Sequence, residues 1–102
     1  MPKEAQLWKL LRDNVPSVHW QRIETGMTGA GVPDVNGCLN GKDVWIELKY
    51  VVGRKLGLRP MQISWLASRT RHGGDCYVLA RKDDCIKLWL VVDLEQLKSL
   101  TW

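Results

Sequence analysis

Residues 33–51 read PDVNGCLNGKDVWIELKYV, and the alternation on either side of Asn40-Gly41 decides the fold. Asn-Gly is favoured in a two-residue type I′ hairpin turn because both positions tolerate positive φ. It separates two strand-like runs, Asp34 to Leu39 and Lys42 to Val51. If the turn holds two residues, Leu39 faces Lys42, paired positions sum to 81, and Asp34 lies directly across from Glu47. Cross-strand partners share a face with Cβ atoms about 4.5–5.5 Å apart, and residues two apart on a strand point the same way. Asp34, Glu47 and Lys49 therefore gather on one face, while Val44, Ile46 and Leu48 point to the other as core.

Upstream, residues 3 to 13 carry Leu7, Trp8, Leu10 and Leu11 at the spacing of an amphipathic helix, with Pro2 suited to its first turn. Asn14 and Pro16 end it. Val18 to Glu24 alternates as a short strand, and Thr25 to Val32 is a Gly-rich loop. Downstream, Gly53 to Gly57 is a basic loop. Arg59-Pro60 opens a helix from Met61 to about Arg71, stopped by Gly73-Gly74. Cys76 to Ala80 and Ile86 to Val92 read as strands joined by the turn Lys82 to Asp84, and Asp93 caps a last helix through Leu100. The expected order is α-β-β-β-α-β-β-α: a mixed α/β domain over residues 1–102, with one central sheet flanked by helices.

The chain has 102 residues, a formal net charge of +4 and a sequence pI near 9.2. That length suits one domain with one core, and the charge is compatible with a polyanionic partner without establishing one. Three cysteines, Cys38, Cys76 and Cys85, form no Cys-x-x-Cys pair, which argues against a zinc site. Reduced thiols and the lack of a signal-like or membrane-length apolar run lead to the expectation of a cytoplasmic protein, in a bacterial or virus-infected cell.

Two carboxylates opposed on neighbouring strands repel, and partial burial raises the cost. A divalent cation removes that conflict. Carboxylate oxygens suit Mg²⁺ or Mn²⁺, which bind through one or two carboxylates, waters and a substrate phosphate. The ammonium of Lys49 would then stabilise charge on the phosphate or help position the attacking water. The bland alternative makes Glu47 and Lys49 a solvated strand edge and Asp34 a turn residue after Pro33. Glu4 lies i−3, i−4 and i−7 from Leu7, Trp8 and Leu11, on the inward helix face. It is a candidate further metal ligand or a simple complement to the helix dipole.

Gly31-Val32-Pro33-Asp34, followed after twelve residues by Glu47-Leu48-Lys49, resembles the signature of the PD-(D/E)xK nuclease superfamily. With Gln62, Trp65 and Leu66 in the following helix, the chain looks like the small virus-type replication-repair nuclease (VRR-NUC) branch, similar to archaeal Holliday-junction resolvases. The resemblance runs from Glu4 to about Arg81. It implies a restriction-endonuclease-like fold and a Mg²⁺- or Mn²⁺-dependent phosphodiesterase. Asp34, Glu47 and the Leu48 carbonyl would be metal ligands and Lys49 a catalytic residue. It further implies a homodimer on branched DNA, serving repair or recombination.

Other residues can be placed around that site. Gln62, one helical turn before Trp65 and Leu66, can face the sheet and orient Lys49 or the nucleophilic water. Arg54, Lys55 and Arg59, then Arg69 and Arg71, are candidate phosphate contacts, or else a solvated surface. Thr28 in the Gly-rich loop is a candidate DNA contact. Trp20, Trp89 and Trp102 are candidate interface groups; His72 closes the helix beside Arg69 and Arg71, and neither it nor His19 is assigned as a ligand. The leading expectation is a dimeric, structure-selective endonuclease that resolves four-way junctions. The alternatives are a nickase or restriction-like nuclease on linear or flapped duplex, and a non-catalytic DNA-binding module.

Overall fold

The hairpin closes in the expected register. In the computed structural model, residues 3–23 and 31–102 are described, those at 3 and 4 by backbone alone. The elements are α1 (Lys3–Asn14), β1 (His19–Arg22), β2 (Val35–Leu39), β3 (Lys42–Tyr50), α2 (Pro60–Arg71), β4 (Asp75–Lys82), β5 (Cys85–Leu90) and α3 (Leu94–Ser99). Leu39 pairs with Lys42 and Val35 with Ile46. Asn40 and Gly41 take φ of 53° and 81°, the positive pair that a type I′ turn needs.

The sheet runs β1-β2-β3-β4-β5, antiparallel except for the parallel β3–β4 pair. Parallel neighbours require a crossover, which α2 supplies. Alternation along β3 then sorts the molecule into two layers of core. Ile46 and Leu48 face α1, packing with Leu7, Val35 and Leu79. Val78 and Ala80, whose β3 partners are Glu47 and Lys49, face α2 and α3 with Val51, Leu56, Leu66 and Leu97. Fully burying one such aliphatic side chain is worth about 1.5–3 kcal/mol, so each layer anchors its helices. Asp93 Oδ1 accepts from the Gln96 amide at 2.8 Å and caps α3 as expected.

Several boundaries differ from the sequence expectation. β1 is shorter, ending at Arg22, although the Ile23 amide still donates to the Asp34 carbonyl (2.7 Å). Asp34 precedes β2 rather than opening it. β4 extends to Lys82, because the β4–β5 turn contains only Asp83 and Asp84, with Asp83 at φ 52°. Residues 24–30, including Thr25 and Thr28, lie outside the described residues, as does the side chain of Glu4. Among the described residues no helix is long and apolar enough to cross a membrane. Cys38, Cys76 and Cys85 are free thiols, as expected.

Gly31 fixes the approach of α2 to the segment leading into Asp34. Its φ is +84°, and a Cβ there would lie 2.4 Å from the Met61 carbonyl oxygen. Gly41 has a similar φ, +81°, with open space around it. Both Gly→Ala changes meet the cost of left-handed backbone, about 1 kcal/mol. Only Gly31→Ala also forces backbone apart. Urea unfolding is therefore expected to show Gly31→Ala losing roughly 2–3 kcal/mol or more and Gly41→Ala about 1; equal losses would contradict this packing.

Candidate active site

Among the described residues Glu47 is the one buried charged side chain, at 2% exposure. It is buried because β3 is the middle strand and its β4 neighbour on that face is Val78, which is fully buried. Lys49 follows two residues on, beside Ala80. On the β2 side the ladder stops at Val35, so the space next to Glu47 is filled by Asp34 instead of by another apolar strand residue.

Asp34 turns back along the strand end. Its Oδ2 accepts from the Leu48 amide at 2.8 Å, in place of a backbone carbonyl that β2 no longer supplies. The N–H and C=O of one strand residue leave on the same side. The Leu48 carbonyl therefore also points to the side where Asp34 stands, while its side chain is buried under α1.

Gln62 closes the cluster from above. As the third residue of α2 it accepts the Arg59 amide through Oε1 (2.9 Å), one half of a helix-capping exchange. The same oxygen accepts from Lys49 Nζ at 2.9 Å, and Nε2 donates to Glu47 Oε2 at 3.1 Å. Reversing the amide would set donor against donor at the first two contacts and acceptor against carboxylate at the third, so the network fixes its orientation. Lys49 Nζ stands 3.9 Å from Glu47 Oε2. Glu47 Oε1 is buried and has no hydrogen-bond partner.

The electrostatics follow from that geometry. Burial, and then the negative charge of Asp34, push the Glu47 carboxyl up to about 9, against the smaller opposing pull of Lys49 and Arg59. An orphaned oxygen on a carboxyl that resists ionisation, beside a second carboxylate, is the environment a bound divalent cation would relieve. The donor set is oxygen only: two carboxylates and the Leu48 carbonyl. It fits a hard cation such as Mg²⁺ or Mn²⁺ that keeps several waters. Among the described residues no group of three or more His, Cys, Asp or Glu side chains assembles, so a cage of softer ligands is not on offer.

The remaining candidates separate. Arg59 stands at the N-terminus of α2 beside the cluster. Arg54 and Lys55 are exposed on the loop before it, with Lys55 bridged to Thr101. Arg69 lies on the flank of α2 that carries Gln62, stacked over Trp45 and Trp65. Arg71 lies on the opposite flank, lining a groove of about 470 Å³ toward α3 with Lys98, and does not join the cluster. Glu4 sits in α1, beneath the opposite sheet face from Glu47. Trp20 packs over Gly37 and donates to the Val15 carbonyl, and Trp89 contacts Trp102 edge-on. These rings thus have partners within the chain. Exposed apolar side chains include a row on edge strand β5, Ile86 (45%), Leu88 (58%) and Leu90 (53%), besides Val52, Met61 and Val92 elsewhere. Sequence reading missed that row because the same alternation also describes a buried strand.

The fold is similar to that of Hjc from Archaeoglobus fulgidus, a Holliday junction resolvase from an archaeal hyperthermophile. The TM-score is 0.68 and the sequence identity 15%, over 84% of this chain and 75% of that one. A second solved structure, SSO0001, aligns with a TM-score of 0.51 at 15% identity, over 92% of this chain and 52% of its own. No family model matches the chain, and no curated protein does. At these identities the likeness is one of fold: a restriction-endonuclease-like mixed α/β sheet of five strands with flanking helices.

The raised Glu47 carboxyl makes stability depend on pH in a defined direction. Its ordinary value is 4.5 and its folded value about 9. The folded state holds a proton that the unfolded state gives up, so stability present below about pH 4.5 is lost progressively as pH rises toward 9. Glu47→Gln keeps the shape and removes the titration. Melting scans in EDTA are expected to place this variant above the parent at pH 8 by roughly 5 °C or more, with little difference at pH 5. A parent as stable at pH 8 as the variant would count against the buried, crowded carboxyl.

Proposed function

We propose that this chain is a Mg²⁺- or Mn²⁺-dependent nuclease that hydrolyses DNA phosphodiester bonds, and that it resolves four-way junctions as a homodimer. The observation that carries this reading is the Glu47 carboxyl, buried beside Asp34 with one oxygen lacking any partner. A structure selected for stability alone would replace it, since an unpaired buried polar atom costs about 1–3 kcal/mol. The fold likeness to a Holliday junction resolvase points the same way. The exact VRR-NUC assignment rests on Gln62, Trp65 and Leu66 alone.

In this reading Asp34, Glu47 and the Leu48 carbonyl hold the cation. When bound, it polarises a phosphate oxygen and lowers the pKa of a coordinated water. Gln62 sets the position of Lys49, whose ammonium, held at 2.9 Å from Oε1, faces the site where charge builds on the phosphate. The Asp34–Leu48 bond keeps one carboxylate oxygen engaged and orients the other. Glu4 is a proposed additional ligand. Arg54, Lys55, Arg59, Arg71 and Thr28 are proposed DNA contacts.

The dimer is proposed on symmetry and surface. A junction has two equivalent scissile strands, and two copies related by a two-fold axis bring one cutting site to each. The Ile86, Leu88 and Leu90 row on an open sheet edge supplies apolar area for an isologous contact.

Labelled four-way junction, flap and linear duplex, incubated with Mg²⁺ or Mn²⁺, separate the readings by where they are cut. Symmetric cuts at the junction support a resolvase, cuts in linear duplex support a nickase or restriction-like enzyme, and binding without cuts supports a non-catalytic module. Asp34→Ala and Glu47→Ala are expected to abolish cleavage while DNA binding persists. Mn²⁺ should raise the melting temperature of the parent and not of either variant. Lys49→Ala is expected to lose 10²-fold or more in rate with that metal-dependent shift retained. Light scattering that gives a monomer mass at micromolar concentration, free and on a junction, would sink the dimer and favour the nickase.

A further inference from the structure

Gln62, Trp65 and Arg69 fall on one stripe of α2, and Lys49, Glu47 and Trp45 on one face of β3. They meet in order. Gln62 binds Lys49 and Glu47, and Trp65 packs edge-on against Trp45 with ring centroids 5.3 Å apart. The Arg69 guanidinium carbon lies 4.5 Å from the Trp65 ring centroid and 5.3 Å from that of Trp45. The seam between helix and strand thus has the carboxylate cluster at one end and a cation laid on two indoles at the other.

Arg69 is held on its remaining side as well. A Cβ at Gly74 would lie 2.6 Å from Arg69 Cγ and 2.7 Å from Cδ, so the stem rests against bare backbone. The residue is nevertheless exposed, and among the described residues no carboxylate comes within ion-pair distance of it. A planar guanidinium that is fixed, exposed and without an anion is arranged for an external one.

A shelf lies beside it. Cross-strand partners share a face, so Asn36 and Gln21 lie level with Trp45, and Cys38 and His19 level with Asp43. These side chains belong to neither apolar core. The helix α2 packs over β4 and against α3, so among the described residues no helix covers this face of β1 and β2. Asp43, level with Cys38, lies toward the hairpin turn and bounds the neutral stretch.

Resting on the nuclease reading above, we infer that Arg69 grips a backbone phosphate of the DNA strand being cut, as that strand runs from the Glu47 cluster along the β1–β2 shelf. Trp45 precedes Glu47 by two strand residues, about 7 Å, so the phosphate that Arg69 holds lies close along the strand to the one at the cluster. The contact is to backbone and not to bases, because Arg69 itself covers the indole faces on which a base would stack. It is therefore independent of sequence and of DNA branching.

The test is DNA binding in EDTA, where no cleavage occurs, with fluorescein-labelled duplex and junction of two unrelated sequences. Arg69→Ala is expected to weaken binding about ten-fold to all of them and to lower the salt slope by about one. Arg69→Lys, which keeps the charge and the stem, is expected to weaken it about three-fold with the slope unchanged, since the planar fork is lost. Lys9→Ala, on the α1 side, should bind as the parent does. Parent-like affinity in Arg69→Lys and Arg69→Ala would overturn the inference, as would a loss confined to one sequence. If Arg69→Ala does not fold, unchanged affinity in Arg69→Lys alone overturns it. A parent that binds no DNA at all would instead overturn the nuclease reading on which this rests.

Discussion

The burial of the Glu47 carboxyl beside Asp34 is the constraint to which the rest of the structure answers. A carboxyl in the middle strand of a sheet, with Val78 at its side, is a cost that packing cannot remove. The surroundings supply partial relief from three elements. Gln62 in α2 donates to one oxygen, Lys49 in β3 offers its charge at 3.9 Å, and Arg59 at the start of α2 adds a weaker pull. None reaches Oε1. Relief is left incomplete at that one atom.

Such a site can exist only in a fold that is secured elsewhere. Here the division follows the alternation of β3. Its even residues Ile46 and Leu48 are committed to a dry layer under α1, and its odd residues Trp45, Glu47 and Lys49 face α2. The α2 side is apolar over β4, where Cys76, Val78 and Ala80 meet Leu66 and Ala67, and polar at the seam with β3. The charged cluster is thus flanked by apolar packing on the same helix that orients it. Gln62 moves with Leu66 because both belong to one turn of α2, so loosening the core would loosen the hold on Lys49.

Most of this was legible in residues 33–51. The Asn40-Gly41 turn carries a local conformational requirement strong enough to set register without tertiary information, and register alone brings Asp34, Glu47 and Lys49 together. Gln62 was legible from helical spacing, though its threefold bonding was not, since that depends on where α2 crosses β3. What spacing could not give was the fate of individual arginines. Arg69 and Arg71 are two residues apart in one helix, yet roughly 200° of helical turn sends them to opposite flanks. The one joins the seam and the other the groove toward α3. The tryptophans were misleading for a related reason. An indole is large enough to be a core group, a lid over a glycine or a platform for a cation, and only the three-dimensional neighbours of Trp20, Trp65 and Trp102 distinguish those uses.

The hairpin end explains why Asp34 reaches the cluster at all. An aspartate within β2 would spend its backbone on the ladder and hold its side chain perpendicular to the sheet. Pro33, fully buried, has no amide to offer β3, so the ladder ends at Val35. Past the end of the ladder the Leu48 amide meets no β2 carbonyl and donates to the Asp34 side chain instead. Gly31, pressed against the Met61 carbonyl, keeps that segment close under α2. The Pro-Asp pair works as a unit: Pro33 has no N–H to offer the Leu48 carbonyl, and Asp34 accepts from the Leu48 amide, within reach of Glu47.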